Sequence, residues 1–303
     1  MKNNQHYFKI SQANPEPQLD LNYFLINKEP QIKEYIKNVK NIKEILITIK
    51  KLKENKEKKV IVQKYYKELF NNFNNFSNCS ELGCFVSACD TTRDLVRKDF
   101  KSFKKITDFF ITKRIINDRA PENWIQAIID NNASRKKGKL GENKLIKILI
   151  QFDYKLVKTW DEFDDNKRCV ANFSKGIFSF ENVEKRLKIG IKTKNQAKML
   201  DLLIKSNNRI FILEAKHLNT EGGEQNKQID ELIKILELEE KKRNIFYVSF
   251  LDGTYSNKLI VDDILKRSKK LARQRNEIES CLNKKNSKNY WLNTAGFVEL
   301  FKK

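Results

Sequence analysis

The chain has 303 residues, of which 40% are hydrophobic and 20 are phenylalanine, so it can bury a core and is not a disordered polymer lacking the apolar surface to offset its ordering entropy. Lys and Arg number 61 against 39 Asp and Glu, and a net charge of +22 attracts a polyanion by releasing counterions from its phosphates, which makes nucleic acid the natural partner. An AT-rich genome would also enrich Lys and Asn on solvated faces without any function, and the imbalance between the two signs of charge remains beside that reading.

No apolar run approaches the roughly 20 residues that a membrane-spanning helix needs. Met1 to Ile10 has no apolar core of a secretory signal. Five cysteines with no such signal read as reduced thiols, so the expected location is cytoplasmic with no membrane association. Cys79, Cys84 and Cys89 recur every five residues without the paired spacing of a zinc site, and Leu82, Phe85 and Val86 among them suit a buried segment.

The sequence text predicts two lobes. Residues 31–55 carry Ile32, Tyr35, Ile36, Val39, Ile42, Ile45, Leu46 and Ile49 at helical spacing, and residues 60–70 repeat the pattern. Further helices are expected at 94–104, 107–116 and 122–129, with an Asn-rich loop at 71–78 and Pro121 opening the last helix. Residues 1–130 therefore read as a helical lobe that contacts DNA or a second subunit. From residue 131 the expectation is an α/β domain with a mixed central sheet flanked by helices. It begins with a basic loop, followed by a helix at 141–150 and then strands at 154–160, 187–191, 199–204 and 210–215. A helix at 225–238, a strand at 244–251 and a long basic helix to about 282 follow. No internal repeat is present.

The chemistry is expected at the strand pair. Asp201 lies on the first strand and Glu214 near the end of the second, so a hairpin could bring two carboxylates onto one Mg²⁺, a cation that takes oxygen ligands. Lys216 is two residues beyond Glu214, and side chains alternate along a strand, so both share a face. Phosphodiester hydrolysis needs a metal to polarise the phosphate and activate water, and a positive group for the developing charge. The bland alternative is a surface Glu–Lys pair past a strand end. The apolar run Ile210-Phe-Ile-Leu213 argues against it, because an unpaired Glu inside a buried strand costs several kcal/mol.

Asp201, a twelve-residue gap and Glu214-Ala-Lys216 resemble the PD-(D/E)xK superfamily of type II restriction endonucleases, with Leu200 in place of the eponymous Pro. The layout is most similar to the DpnII/MboI-type group, through Glu214-Ala-Lys-His-Leu-Asn-Thr-Glu-Gly-Gly223, Tyr247-Val-Ser-Phe-Leu-Asp-Gly253 and Leu292-Asn-Thr-Ala-Gly-Phe297. It covers residues 134–301, although that group's acid-x-Asn triplet is replaced here by Glu-Ala-Lys.

The resemblance implies a restriction-endonuclease-like core and Mg²⁺-dependent, sequence-specific hydrolysis of double-stranded DNA leaving 5′-phosphate ends. Asp201, Glu214 and the Ala215 carbonyl would hold the metal, and Lys216 would orient or activate the water. Glu142, early in the helix before the sheet, is a further catalytic candidate; its alternative is complementarity to the helix N-terminus. Gln225 and Gln228 are candidate contacts to bases. His217 is either a DNA contact or a structural histidine. Arg135, Lys136, Lys137 and Lys139, with Lys192 and Lys194, are expected to hold phosphates, in preference to the Lys50–Lys59 run, which reads as a solvated helix end.

A homodimer would match a palindromic site. A cognate DNA methyltransferase in the same operon would protect the host genome. A junction resolvase or repair nuclease of the same fold, and a DNA-binding protein without catalysis, are the competing readings.

Overall fold

The structure is a computed structural model that describes residues 2–23, 29–89, 91–131, 134–174, 176–190, 200–220, 222–261 and 269–302, with 134–139 described by backbone alone. The chain forms two compact units: Met1–Phe24 with Arg135–Lys303, and Leu25–Ser134.

Among its described residues the second unit is helical. It contains α2 (Ile32–Glu54), α3 (Lys59–Asn72), α4 (Glu81–Ala88), α5 (Arg93–Val96), α6 (Phe100–Lys113) and α7 (Glu122–Asn131). The expected apolar stripe of α2 is its buried face, where Ile42, Ile45, Leu46 and Ile49 meet Tyr66 and Leu69 of α3 and Phe103 and Phe110 of α6. Each such side chain contributes about 1.5–3 kcal/mol on burial. The two helices expected at 94–104 and 107–116 are in fact α6 preceded by the single turn of α5. The Asp99 carboxylate caps α6, and the Thr107 hydroxyl donates to the Phe103 carbonyl, so neither residue breaks it. The three cysteines do not converge as ligands: Cys79 is buried, Cys84 exposed and Cys89 half-buried.

The first unit is an α/β layer structure built on a six-stranded mixed sheet in sequence order: β1 (Lys155–Leu156), β2 (Arg168–Asn172), β3 (Leu202–Ser206), β4 (Arg209–His217), β5 (Ile245–Asp252) and β6 (Tyr290–Leu292). β3 runs antiparallel to both its neighbours, whereas β1–β2, β4–β5 and β5–β6 are parallel. The sheet is covered on both faces, which is why β5 reads as an uninterrupted apolar run and is buried along its whole length. On one face Phe211, Leu213, Val248 and Phe250 pack against Leu145 and Leu149 of α8 (Ser134–Gln151) and Phe297 of α14 (Thr294–Phe301). On the other, Ile212 and Tyr247 pack with Phe163 of α9 (Trp160–Asp165), Val183 of α10 (Phe180–Leu187) and Ile235 of α11 (Gly223–Leu236). The helices α12 (Thr254–Ile260) and α13 (Lys269–Asn283) close the α11 side.

Several expectations change. Residues 1–24 belong to the sheet unit rather than to the helical lobe, because α1 (Asn4–Ala13) packs along α14 and β6. That approach is close: a Cβ on Gly296 would lie 2.2 Å from Ser11 Oγ and 3.0 Å from the Tyr7 carbonyl. The basic stretch 135–139 is not a loop but the first part of α8, since Lys, Arg and Leu are good helix formers and outweigh the cost of one glycine. The strand expected at 154–160 shrinks to β1 because Thr159 and Glu162 form a capping box that starts α9 at Trp160. Leu187, expected in a strand, ends α10, where Lys188 takes a left-handed conformation (φ 50°); Ile191 lies outside the described residues. No described helix is long and apolar enough to cross a membrane.

Candidate active site

The hairpin β3–β4 forms as its sequence suggests, with Leu202 opposite Leu213 and Ser206 opposite Arg209. Asp201 immediately precedes β3. Its backbone amide donates to the Leu213 carbonyl at 2.9 Å, and its Oδ2 accepts the Ala215 amide at 2.8 Å. Glu214 lies deep in β4, where its side chain is only 2% exposed, and its Oε1 pairs with Lys216 Nζ at 2.6 Å. The other oxygen, Oε2, is buried with no N–H or hydroxyl donor in reach, and the Asp201 carboxyl lies within hydrogen-bonding range of the Glu214 side chain. Asp201, Glu214 and Lys216 are thus brought together, on the face of β4 opposite α8.

Burial sets the electrostatics. It raises the pKa of Asp201 despite the Ala215 amide and the Lys216 charge, and it raises that of Glu214 further because the Asp201 charge adds to it. Lys216 shows the opposite balance. Burial pulls its ammonium down, but the carboxylates of Glu214, Asp201 and Glu231 outweigh that and hold its pKa above the ordinary lysine value. Lys216 is therefore a proton-holding cation beside two acids that resist ionising.

A buried carboxylate oxygen with no N–H or hydroxyl donor, beside a second acid, is the kind of donor set a divalent cation fits, because the cation would replace the missing donor and offset the repulsion. Ala215 sits between Glu214 and Lys216 and pairs with Phe250 of β5.

Glu231 was not among the expected residues. Its Oε2 is 3.7 Å from Lys216 Nζ, reached from α11. A signal for it existed, since Glu231 follows Gln228 by three residues and shares its side of the helix. Gln228 itself is half-buried on α11, and the Gln225 Oε1 folds back to within 2.4 Å of where a Gly222 Cβ would sit. Glu142 is half-buried on α8; three and four residues before Leu145 and Ile146, it shares their stripe and so starts from the other face of the sheet. Arg135, Lys136, Lys137 and Lys139 are described by backbone alone, and Lys192 and Lys194 lie outside the described residues.

His217 is held on three sides by the chain. Nδ1 pairs with Asp252 Oδ1 at 2.8 Å and Nε2 with the Asn219 amide at 2.9 Å, and the ring stacks on Tyr23 at 3.6 Å between centroids. The same corner holds Glu16, Asp20 and Asp252, whose carboxylate oxygens lie within 4.8 Å of one another. Lys144 Nζ stands among them, 2.7 Å from both aspartates and 3.7 Å from Glu16, so a cation is already supplied by the chain. Gly253 makes this corner possible: its φ of 89° and a clash of a Cβ with the Leu218 carbonyl at 2.3 Å both require glycine where β5 turns into α12.

No protein-family model, no curated protein and no solved structure matches the chain.

Proposed function

We propose that the protein is a type II restriction endonuclease with a restriction-endonuclease-like core, which hydrolyses double-stranded DNA with Mg²⁺ at the β3–β4 hairpin. The observation that carries this reading is the buried Glu214 Oε2, without an N–H or hydroxyl donor, beside Asp201, with Lys216 on the same face. A purely structural Glu–Lys pair has no use for a second buried acid, since each buried carboxylate costs several kcal/mol of desolvation.

Asp201, Glu214 and the Ala215 carbonyl would hold the cation. When bound, the cation would polarise the scissile phosphate and lower the pKa of the attacking water. Lys216, on the same face, would orient or activate the water and supply a positive charge for the developing negative charge on the phosphate. In the net reaction a water oxygen bonds to phosphorus and the bond to the 3′ oxygen breaks, leaving a 5′-phosphate and a 3′-hydroxyl.

Purified protein with Mg²⁺ should cut unmodified plasmid into discrete bands, and Lys216→Ala should abolish cutting while leaving DNA binding intact. Normal cutting by Lys216→Ala would remove this site from the mechanism. A smear in place of bands would favour a repair nuclease, and a homodimer in solution with a methyltransferase gene alongside would favour restriction.

A further inference from the structure

We propose that the groove between α2, α3 and α6 in the helical unit binds the sugar–phosphate backbone of duplex DNA. The groove has a volume of about 850 Å³, and Lys53, Lys56, Lys59, Lys64, Lys67 and Lys104 line it, with Glu57 and Asp108 the acids among the described lining residues. Asp108 is already engaged by Lys53 Nζ at 2.6 Å and by the Tyr66 hydroxyl at 2.5 Å. Lys56, Lys59, Lys64 and Lys67 are exposed and make no ion pair among the described residues.

Helix solvation alone would tolerate such lysines, but it would not gather them around a concave surface. Lys56, Lys59, Lys64 and Lys67, against Glu57 as the remaining acid of the lining, leave the groove a surplus of positive charge, and a polyanion relieves that surplus and gains the entropy of counterion release. The dimensions also fit. From Lys59 to Lys67 is eight residue steps along α3, about 12 Å at 1.5 Å per step. Measured along the duplex axis, that is three or four nucleotide steps of one strand, at about 3.4 Å of axis per step. Val60, 82% exposed, and Ile61, 39% exposed, flank the lysines and offer apolar contact to deoxyribose; vesicle binding, tested alongside duplex binding, separates this from a membrane surface.

The proposal rests on the nuclease reading for the identity of its partner, and reverses the view of Lys50–Lys59 as a solvated helix end. Its test uses the full chain and a fluorescein-labelled duplex without divalent cation, with affinity measured as a function of salt. Lys59→Gln/Lys64→Gln/Lys67→Gln should lower the slope of log affinity against log salt by two to three, about 0.9 for each phosphate no longer neutralised, and weaken binding roughly a hundredfold at 0.15 M salt. A control triple, Lys33→Gln/Lys37→Gln/Lys40→Gln on exposed positions of α2 outside the groove, removes the same charge from the same unit and should change the slope by less than about one.

An unchanged slope in the groove variant, an equal loss in the control, or lysine-dependent binding to phosphatidylserine vesicles without lysine-dependent duplex binding would each overturn the proposal. Plasmid cleavage by the wild-type chain separates the two claims. If the wild type cuts but the groove variant binds unchanged, only the groove fails. Lysine-dependent binding without cutting leaves the groove standing and removes the nuclease.

Discussion

The Ala215 amide donates to Asp201 Oδ2 across 2.8 Å, which ties the acid before β3 to the residue separating Glu214 from Lys216. Asp201 therefore has two separable jobs, a negative charge for the proposed cation and an acceptor for a strand amide. Asp201→Asn retains an oxygen acceptor, whereas Asp201→Ala leaves the amide unsatisfied. Both remove the buried charge, so relief of its desolvation cancels between them. The alanine variant should be the less stable by about 1–3 kcal/mol in urea denaturation, while both lose cleavage. Equal urea midpoints would show that the hydrogen bond contributes nothing to holding the hairpin.

The acids also link metal binding to pH. Burial raises the pKa of both Asp201 and Glu214, and the Asp201 charge raises Glu214 further. A carboxylate whose folded pKa is raised contributes stability below its unfolded value and loses it as pH climbs through the folded one. The metal-free protein should thus lose stability from these groups above about pH 4, the ordinary carboxylate range. A divalent cation must displace the retained proton and offsets this loss, so its stabilising effect should grow as pH rises above the ordinary carboxylate range. At ten times its Kd, Mg²⁺ should add about 1.4 kcal/mol, a few degrees in Tm, and add nothing in Glu214→Gln. A Tm gain of the same size in that variant would place the cation elsewhere.

Elements with their own periodicity are legible in the amino-acid sequence. α2 spells out its buried stripe from Val39 to Ile49, and β4 and β5 are apolar runs long enough to declare themselves. Elements that borrow their burial are not. β2, Arg-Cys-Val-Ala-Asn, is five residues whose strand character comes from pairing with β1 and β3. α1 looks like an ordinary polar start, because the groups that fix it, Asn293 and Gly296, are about 280 residues away: the Asn293 amide donates to Ser11 Oγ at 3.1 Å. The site divides the same way. Asp201, Glu214 and Lys216 lie on one hairpin and can be found by alternation. Glu231 arrives from a packed helix, and only tertiary structure puts it 3.7 Å from the lysine.

Glu231 and Lys216 differ in how much the site depends on them. The Glu231 side chain is 37% exposed and its contact is long, and a solvent-screened pair of this kind is worth about 0–1 kcal/mol. Glu231→Gln should therefore slow cleavage by less than about fivefold. Removing the charge that touches the reacting groups costs on the order of a hundredfold or more, and that is the loss expected for Lys216→Ala. Single-turnover cleavage rates for the two variants decide the matter. A loss with Glu231→Gln as large as with Lys216→Ala would give the glutamate a direct part in the chemistry.

Lys144 is the residue on which the opposite face of the sheet depends, at the same strand ends as the candidate site. Its side chain is 2% exposed, and burial pulls its pKa down, but the Asp252 and Glu16 charges and the hydrogen bonds to Asp20 and Asp252 hold it above the ordinary value. Replacing it with Met preserves much of the volume and leaves Glu16, Asp20 and Asp252 facing one another with no cation between them. Breaking a buried ion pair from one side costs about 3–5 kcal/mol, so Lys144→Met should lower the stability by about that much at neutral pH and shift the urea midpoint well below wild type. Tyr23→Phe removes only the hydroxyl that donates to Asp252 at 2.8 Å, leaves the ring stacked on His217, and should cost about 1 kcal/mol. Acid should partly rescue Lys144→Met, because protonating the three carboxylates removes their repulsion. If its urea midpoint stays close to wild type, some other cation must neutralise that corner.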